Sequence, residues 1–433
     1  MKKIGFIILA VVIFSCTKTQ FDDFEMGSGD ADFSNYIAVG NSLTQGYQDG
    51  GLHNERGQQD NCYPAIIAKQ MGTEFTLPTI TGQGDGYMHL EYINGEIEVI
   101  KAYDDGITTN HPTAIKNDLA WETWGDTTRQ YNNIAVSGIK LVNCLSGGRN
   151  TTLNFNLLQN TLNPNGRFLN FGDAATPISY LDHIKKSNAT FFTCWLGNND
   201  VLAWSTAGGD DEPVINSSGI SVPGLFVSQL TDFEEFRNKY DSVLVAFKNM
   251  GAKGVCATLP NVTSIPYFNT VTLDAIGGDV WIREGADTTI IRLATEDDLL
   301  LLTATDELKK GLGKVQSRPL PHTVVLDKDE ILIVQTRTNE INGAIRMLAN
   351  KYNFALADMN SFMKTLTNTG LGFDGVDFSA TYIEGGVFSL DGVHPNGRGY
   401  AIIANEFIRT TNEFYGSTIP TVIVANYRGI TFP

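Results

Sequence analysis

Residues 36–46 read Tyr-Ile-Ala-Val-Gly-Asn-Ser-Leu-Thr-Gln-Gly, and this stretch decides the fold. Its four leading residues, Tyr36 to Val39, predict a short strand that is apolar on both faces. Gly40 and Gly46 permit a sharp turn at the end of such a strand, because glycine adopts backbone conformations that other residues avoid. We therefore expect Ser42 at the carboxyl edge of a sheet, where α/β proteins place their functional groups.

Four more short apolar runs recur along the chain, with helical stretches between them. The runs are Asn133 to Val136, Thr190 to Leu196, Gly254 to Leu259 and Phe354 to Asp358. The predicted helices are Pro64 to Met71, Phe233 to Met250, Asn339 to Tyr352 and Gly399 to Phe407. Strands alternating with helices predict an α/β fold, in which a central parallel sheet is covered by helices on both faces.

Long segments interrupt this pattern at about 47–131, 202–231, 261–337 and 359–388. Loops longer than about fifteen residues are usually functional or hold structure of their own. No internal repeat or linker marks a second domain, so we interpret these segments as substrate-shaping insertions in one domain that spans 33–433.

The first residues have the pattern of an export signal. Lys2 and Lys3 precede an apolar run at 4–14. That run is about eleven residues long, well short of the roughly twenty that a membrane-spanning helix needs. We therefore predict a cleaved signal peptide at 1–15 rather than a permanent transmembrane helix.

The residues around the expected cleavage site are Ile-Phe-Ser-Cys at 13–16. They resemble the lipobox of bacterial lipoproteins, in which the cysteine becomes the first residue and is acylated. The resemblance implies lipidation of Cys16, a polar tether at 16–32, and an exported protein anchored to a bacterial membrane, facing the periplasm or the cell surface. The alternative is an ordinary secretory signal in which Cys16 is incidental.

The charge balance is strongly acidic. The chain has 31 basic and 48 acidic residues, and loss of Lys2 and Lys3 would leave 29 − 48 = −19. Such a surface repels phosphate backbones, and the chain has no basic run. We therefore predict no nucleic-acid partner.

Four cysteines remain apart from Cys16. Cys194 and Cys256 lie within predicted buried strands, where free cysteine packs as a small apolar residue. Cys62 and Cys144 lie outside such runs, and the sequence leaves open whether they form a disulfide.

Residues with catalytic chemistry stand at the ends of predicted strands and in the last loop. Gly138 follows the second strand and would allow a backbone amide to approach a substrate oxygen. Asn199 follows the third strand and offers an uncharged side-chain donor for an oxyanion. His394 alone among six histidines lies three residues after an aspartate, Asp391, in a loop with glycine and proline. This spacing lets the carboxylate orient the ring while its other nitrogen serves Ser42.

Together these residues resemble the SGNH (GDSL-type) hydrolase family. The matching blocks are Gly40-Asn41-Ser42-Leu43, Gly138, Gly197-Asn198-Asn199-Asp200 and Asp391-Gly392-Val393-His394. The resemblance implies the flavodoxin-like three-layer α/β/α sandwich of that family. One departure is Asn41, where the family usually has aspartate. Asparagine keeps an acceptor oxygen but loses the charge, so we expect the turn to survive.

The resemblance also implies the chemistry. Ser42, Asp391 and His394 would form the catalytic triad, with the oxyanion bound by the Ser42 and Gly138 amides and the Asn199 side chain. No metal and no cofactor are expected. Esters of lipid acyl chains are the first expected substrates and O-acetylated carbohydrates the second. A surface lipoprotein that only binds a ligand is the alternative of a different class. The oligomeric state is not predicted.

Overall fold

The structure is a computed structural model. It describes residues 26–55, 57–80, 82–84, 86–101, 130–144, 179–211, 213–215, 221–226, 228–285 and 290–433. The predicted signal peptide, Cys16 and most of the tether lie outside these residues. Among the helices that it describes, none has the length and apolar composition needed to cross a lipid bilayer.

The described secondary structure alternates between strands and helices. The strands are β1 (Tyr36–Gly40), β2 (His89–Ile93), β3 (Glu96–Ile100), β4 (Phe191–Trp195), β5 (Pro213–Ile215), β6 (Ser221–Phe226), β7 (Lys253–Ala257), β8 (Trp281–Arg283), β9 (Ile291–Leu293), β10 (Leu299–Leu300), β11 (Val325–Leu326), β12 (Ala355–Ala357), β13 (Leu371–Phe373) and β14 (Val376–Phe378). The helices are α1 (Ser42–Gln45), α2 (Tyr63–Met71), α3 (Leu141–Cys144), α4 (Tyr180–Lys186), α5 (Asn198–Thr206), α6 (Phe233–Asn249), α7 (Pro266–Asn269), α8 (Leu273–Ile276), α9 (Ala304–Lys309), α10 (Lys328–Tyr352), α11 (Met359–Asn368) and α12 (Gly397–Tyr415).

The central sheet is parallel, with strand order β1-β4-β7-β12. Its strands coincide with four of the five predicted runs, so the predicted parallel sheet is confirmed. The remaining run, at 133–136, lies along the free edge of β1 without forming a regular strand. There Ile134 N donates to Ala38 O at 3.1 Å, and Val136 N donates to Gly40 O at 3.2 Å.

Helices cover both faces of this sheet, as the predicted three-layer sandwich requires. Neighbouring residues of a strand point to opposite faces, and the aromatic contacts of β4 show which helices lie on each. Phe192 stacks on Phe247 of α6, with ring centroids 3.9 Å apart. Phe191 contacts Tyr415 of α12 edge to face at 6.0 Å. Helices α6 and α10 form one layer, and α2 and α12 form the other.

Two boundaries differ from the prediction. Helix α10 begins at Lys328, well before the predicted Asn339, because the Asp327 side chain caps its first turn by accepting from two backbone amides. The folded domain also begins before the predicted Phe33. Gly27 N donates to Thr418 Oγ1 at 2.8 Å, and Asp30 N donates to Tyr415 O at 2.8 Å, which binds this part of the predicted tether to the end of α12.

The segment predicted as an insertion at 261–337 contains a small core of its own. Strands β8 to β11 and helix α9 surround it, and its buried members are Val280, Ile282, Leu300, Ala304, Leu320, Val324 and Val325. The four cysteines in the described residues are free and buried. Cys194 and Cys256 therefore pack as predicted, and Cys62 and Cys144 form no disulfide.

Candidate active site

Ser42 lies where β1 turns into the short helix α1. Asn41 precedes this helix, and its side-chain oxygen accepts from Leu43 N at 3.3 Å, so asparagine supports the turn as expected. A Cβ at Gly40 would lie 1.9 Å from Thr44 Oγ1, which leaves room only for glycine before the turn. Ser42 is the first residue of α1, and the first amides of a helix have no partner within it. The turn therefore presents both the hydroxyl and the amide of Ser42.

Three residues from opposite ends of the chain form a hydrogen-bonded series at this turn. Ser42 Oγ lies 2.9 Å from His394 Nε2, and His394 Nδ1 lies 2.9 Å from Asp391 Oδ2. Ser42 is only 7% exposed. With the ring proton on Nδ1, His394 donates to the carboxylate and accepts the hydroxyl proton of Ser42. This is the arrangement that turns a serine hydroxyl into a nucleophile.

The carboxylate of Asp391 is held in its charged form. Burial by itself would raise the pKa of this carboxyl, but the attraction of His394 and several hydrogen bonds outweigh burial and lower the pKa to about 2. The donors to Asp391 Oδ1 are the amides of Val393 and His394, each at 2.8 Å. Gly50 N donates to Oδ2 at 2.9 Å. Asp391 is therefore a fixed anion beside the imidazole.

A second loop, which sequence reasoning missed, holds the loop of Asp391 and His394 in place. Asp49 Oδ1 accepts from Leu390 N at 2.9 Å, and Asp49 N donates to Ser389 Oγ at 2.9 Å. The ring of Tyr47 lies against the imidazole of His394, with centroids 4.6 Å apart. No local sequence signal marks Asp49, because its partners lie more than 300 residues away.

Gly138 lies in a loop that is hydrogen-bonded on one side to α1, the short helix that begins at Ser42. Ser137 N donates to Gln45 Oε1 at 2.8 Å, and Gln45 belongs to the same short helix as Ser42. Gly138 has φ of +78°, a conformation that favours glycine. Gln45 was not singled out in the sequence, although it lies within the stretch that predicted the site.

On its other side the same loop is hydrogen-bonded to helix α5. Asn199 Nδ2 donates to Ile139 O at 3.1 Å, and Leu141 N donates to the buried carboxylate of Asp200 at 2.9 Å. A primary amide has two N–H groups, so Asn199 keeps a second donor after bonding Ile139. Ser42, Asn199 and His394 line one pocket. The structure thus brings Asn199 to the cavity that Ser42 also lines, and the neighbours of Gly138 are hydrogen-bonded to Gln45 and Asn199.

No group of three or more histidine, cysteine, aspartate or glutamate side chains in the described part of the chain is arranged to hold a metal ion. Cys16, the predicted lipidation site, lies outside the described residues.

Comparison with known proteins identifies a family. The family model described as GDSL-like lipase/acylhydrolase matches residues 36–407. No curated protein sequence matches the chain.

The chain is also similar to solved structures, of which three are described here. An acetylxylan esterase from Geobacillus stearothermophilus is 10% identical, with 88% of this chain and 96% of that chain covered and a TM-score of 0.35. An extracellular lipase from Streptomyces rimosus is 11% identical, with 88% and 99% covered and a TM-score of 0.33. A lipase/acylhydrolase from Enterococcus faecalis is 11% identical, with 90% and 100% covered and a TM-score of 0.30.

Proposed function

The chain belongs to the family of GDSL-like lipases and acylhydrolases, and we propose that it cleaves carboxylic esters through an acyl-enzyme formed on Ser42. The observation that carries this proposal is the hydrogen-bond series from Ser42 through His394 to Asp391, with both side-chain distances at 2.9 Å. A protein that only binds a ligand has no need of this series, so the geometry favours an enzyme over a binding lipoprotein.

The reaction begins when Ser42 Oγ attacks the ester carbonyl and its proton passes to His394 Nε2. The carbonyl oxygen becomes an anion, which the amides of Ser42 and Gly138 and the side chain of Asn199 stabilise. Asp391 keeps the ring oriented and stabilises the imidazolium. His394 then gives its proton to the departing alcohol, and water, activated by the same histidine, releases the acid from Ser42.

The test is to remove the nucleophile and the base singly and together. We expect Ser42→Ala and His394→Ala each to lower kcat by about 10⁴-fold or more, and the double variant to lose little beyond that, because the pair acts as one unit. A fluorophosphonate should label the wild-type protein and not Ser42→Ala. Ser34→Ala, which changes an exposed serine, is the matched control and should keep full activity and labelling.

Two outcomes would contradict the proposal. Losses that multiply in the double variant would show that Ser42 and His394 do not share one mechanism. A wild-type protein that is folded but neither labelled nor active on any ester would favour the ligand-binding alternative.

We also propose that the enzyme is exported and held on a bacterial membrane by acylation of Cys16. The support is the sequence pattern alone: two lysines, a short apolar run, and the residues Ile-Phe-Ser-Cys at 13–16. Two or more acyl chains anchor a protein stably where one chain does so only marginally. Such an anchor would keep the active site close to a lipid surface.

A further inference from the structure

The pocket that opens at Ser42 is apolar almost throughout. It lies above the carboxyl ends of the four sheet strands and is partly open to solvent. Among the described residues that line it, the polar side chains are Ser42, Asn198, Asn199 and His394. The indole N–H of Trp195 already donates to Thr258 O, and the other described side chains of the lining are apolar.

One wall of this pocket is a single face of helix α11. Met359, Phe362, Met363 and Leu366 all line the pocket, and their spacing of three, four and seven residues places them on one side of the helix. Met359 and Leu366 are buried, whereas Phe362 and Met363 are partly exposed. The opposite face, which includes Lys364, is exposed. The helix therefore turns an apolar surface toward a space beside Ser42.

The facing walls are apolar as well. Val262 and Ile265 follow β7, and Ile402 and Ile403 belong to α12. A sugar ring against these described walls would lose its hydrogen bonds to water and find few side-chain partners, which is unfavourable for each buried hydroxyl. An aliphatic chain gains free energy from the same burial. The lining thus selects for a hydrocarbon.

We propose that this pocket binds the acyl chain of the substrate, and that the chain is an aliphatic one clearly longer than acetyl. The inference rests on the proposed function and names its substrate class. The acyl group is assigned to the pocket because it stays on Ser42 between the two steps, whereas the alcohol must leave before water attacks. An apolar space beside Ser42 suits the part that stays. Met363 is a specificity-determining residue, because it covers the pocket from α11.

The test compares kcat/KM on p-nitrophenyl acetate, butyrate and octanoate. Burial of two further methylene groups should raise kcat/KM on the order of tenfold from acetate to butyrate. A second series, methyl, butyl and octyl acetate, varies the alcohol instead and should show a much weaker dependence. A maximum at acetate would overturn the proposal, and a stronger dependence on the alcohol chain would assign the pocket to the leaving group.

Two tryptophan variants test the role of the α11 face. Met363→Trp should fill the pocket and lower the octanoate-to-acetate ratio of kcat/KM at least tenfold, and thermal unfolding at the wild-type Tm shows that the protein is folded. Lys364→Trp makes the same substitution on the exposed face and should keep the wild-type ratio. If Met363→Trp fails to fold, Met363→Ala replaces it and should shift the preference toward longer chains.

An unchanged ratio in the soluble Met363 variant would overturn the assignment of the α11 face. These results are separable from failure of the proposed function. If the acyl-chain proposal alone is wrong, Ser42 is still labelled by a fluorophosphonate and acetate is still hydrolysed. If the proposed function is wrong, no ester is hydrolysed and no label is taken up.

Discussion

The side chain of Asn199 offers the sharpest test of the proposed oxyanion site, because it has one hydrogen-bonded partner in the structure and a proposed second one in the substrate. One N–H of its amide donates to Ile139 O at 3.1 Å and so holds the Gly138 loop. The amide has a second N–H, and Asn199 lines the pocket that Ser42 also lines. Asn199→Ala removes both donors. We expect kcat to fall roughly 10² to 10³-fold, about 3 to 4 kcal/mol, with little change in KM, because the ground-state carbonyl hardly uses the donor.

The stability effect of the same change should be small. One hydrogen bond to a backbone carbonyl contributes about 1 kcal/mol. In a protein of this size that corresponds to a fall in Tm of about 2 °C or less. A large loss of kcat in protein with a nearly unchanged Tm would therefore point to the transition state and not to unfolding.

Asn199→Asp separates the oxyanion role from a merely structural one. Aspartate suits the first turn of helix α5, where the helix dipole favours a negative charge. It has no donor hydrogens, however, and its charge would repel the developing oxyanion, so kcat should fall at least as far as in Asn199→Ala. Asn198→Ala changes the preceding residue, which lines the same pocket, and we expect it to cost clearly less.

The assay is steady-state hydrolysis of p-nitrophenyl butyrate, with thermal unfolding of each variant measured in the same buffer. Near-wild-type kcat for Asn199→Asp would refute the assignment while leaving Ser42 and His394 in their roles. If Asn198→Ala lowers kcat as much as Asn199→Ala does, the assignment of the donor to Asn199 is wrong.

Three further predictions concern pH and membrane attachment. The lowered pKa of Asp391, about 2, keeps its carboxylate charged throughout the range where histidines titrate, so the acid limb of log kcat/KM against pH should have a slope of one; a slope of two would contradict this. Burial raises the pKa of Glu330 from 4.5 to about 8, so its contribution to stability is present below pH 4.5 and lost as pH rises toward 8. The Tm of Glu330→Gln, whose side chain cannot ionise, should fall less between pH 5 and pH 9 than the Tm of the wild type. Parallel curves of Tm against pH would disprove this prediction. Finally, wild-type protein should fractionate with membranes and Cys16→Ala should not, and equal solubility of both would end the lipoprotein proposal.

The central sheet was predictable from the sequence because each strand is a local pattern. Tyr36 to Val39 is apolar on both faces and is followed by glycine, and such a run is typical of a strand in a covered parallel sheet. The ends of these strands then placed Ser42 and Asn199 at one edge. The spacing of Asp391 and His394 identified this histidine as the base. In the structure Ser42, Asn199 and His394 line one pocket.

The boundaries that were wrong depend on capping and on distant contacts. Helix α10 extends to Lys328 because Asp327 caps it, although the apolar periodicity is clear only from Asn339 onward. The segment near Gly27 is polar and reads as a tether. It is held against the domain by Thr418, from the other end of the chain.

The supports of the candidate site were decided only by the tertiary structure. Asp49 bonds the loop of His394 across a separation of about 340 residues, and Gln45 bonds Ser137 across 92. Hydrogen bonds of this kind leave no periodic trace in a sequence, because a single polar residue does not identify its partner. The apolar face of α11 is similar. Its helical spacing is local, but only the packed structure shows that this face borders the space next to Ser42 and not a solid core.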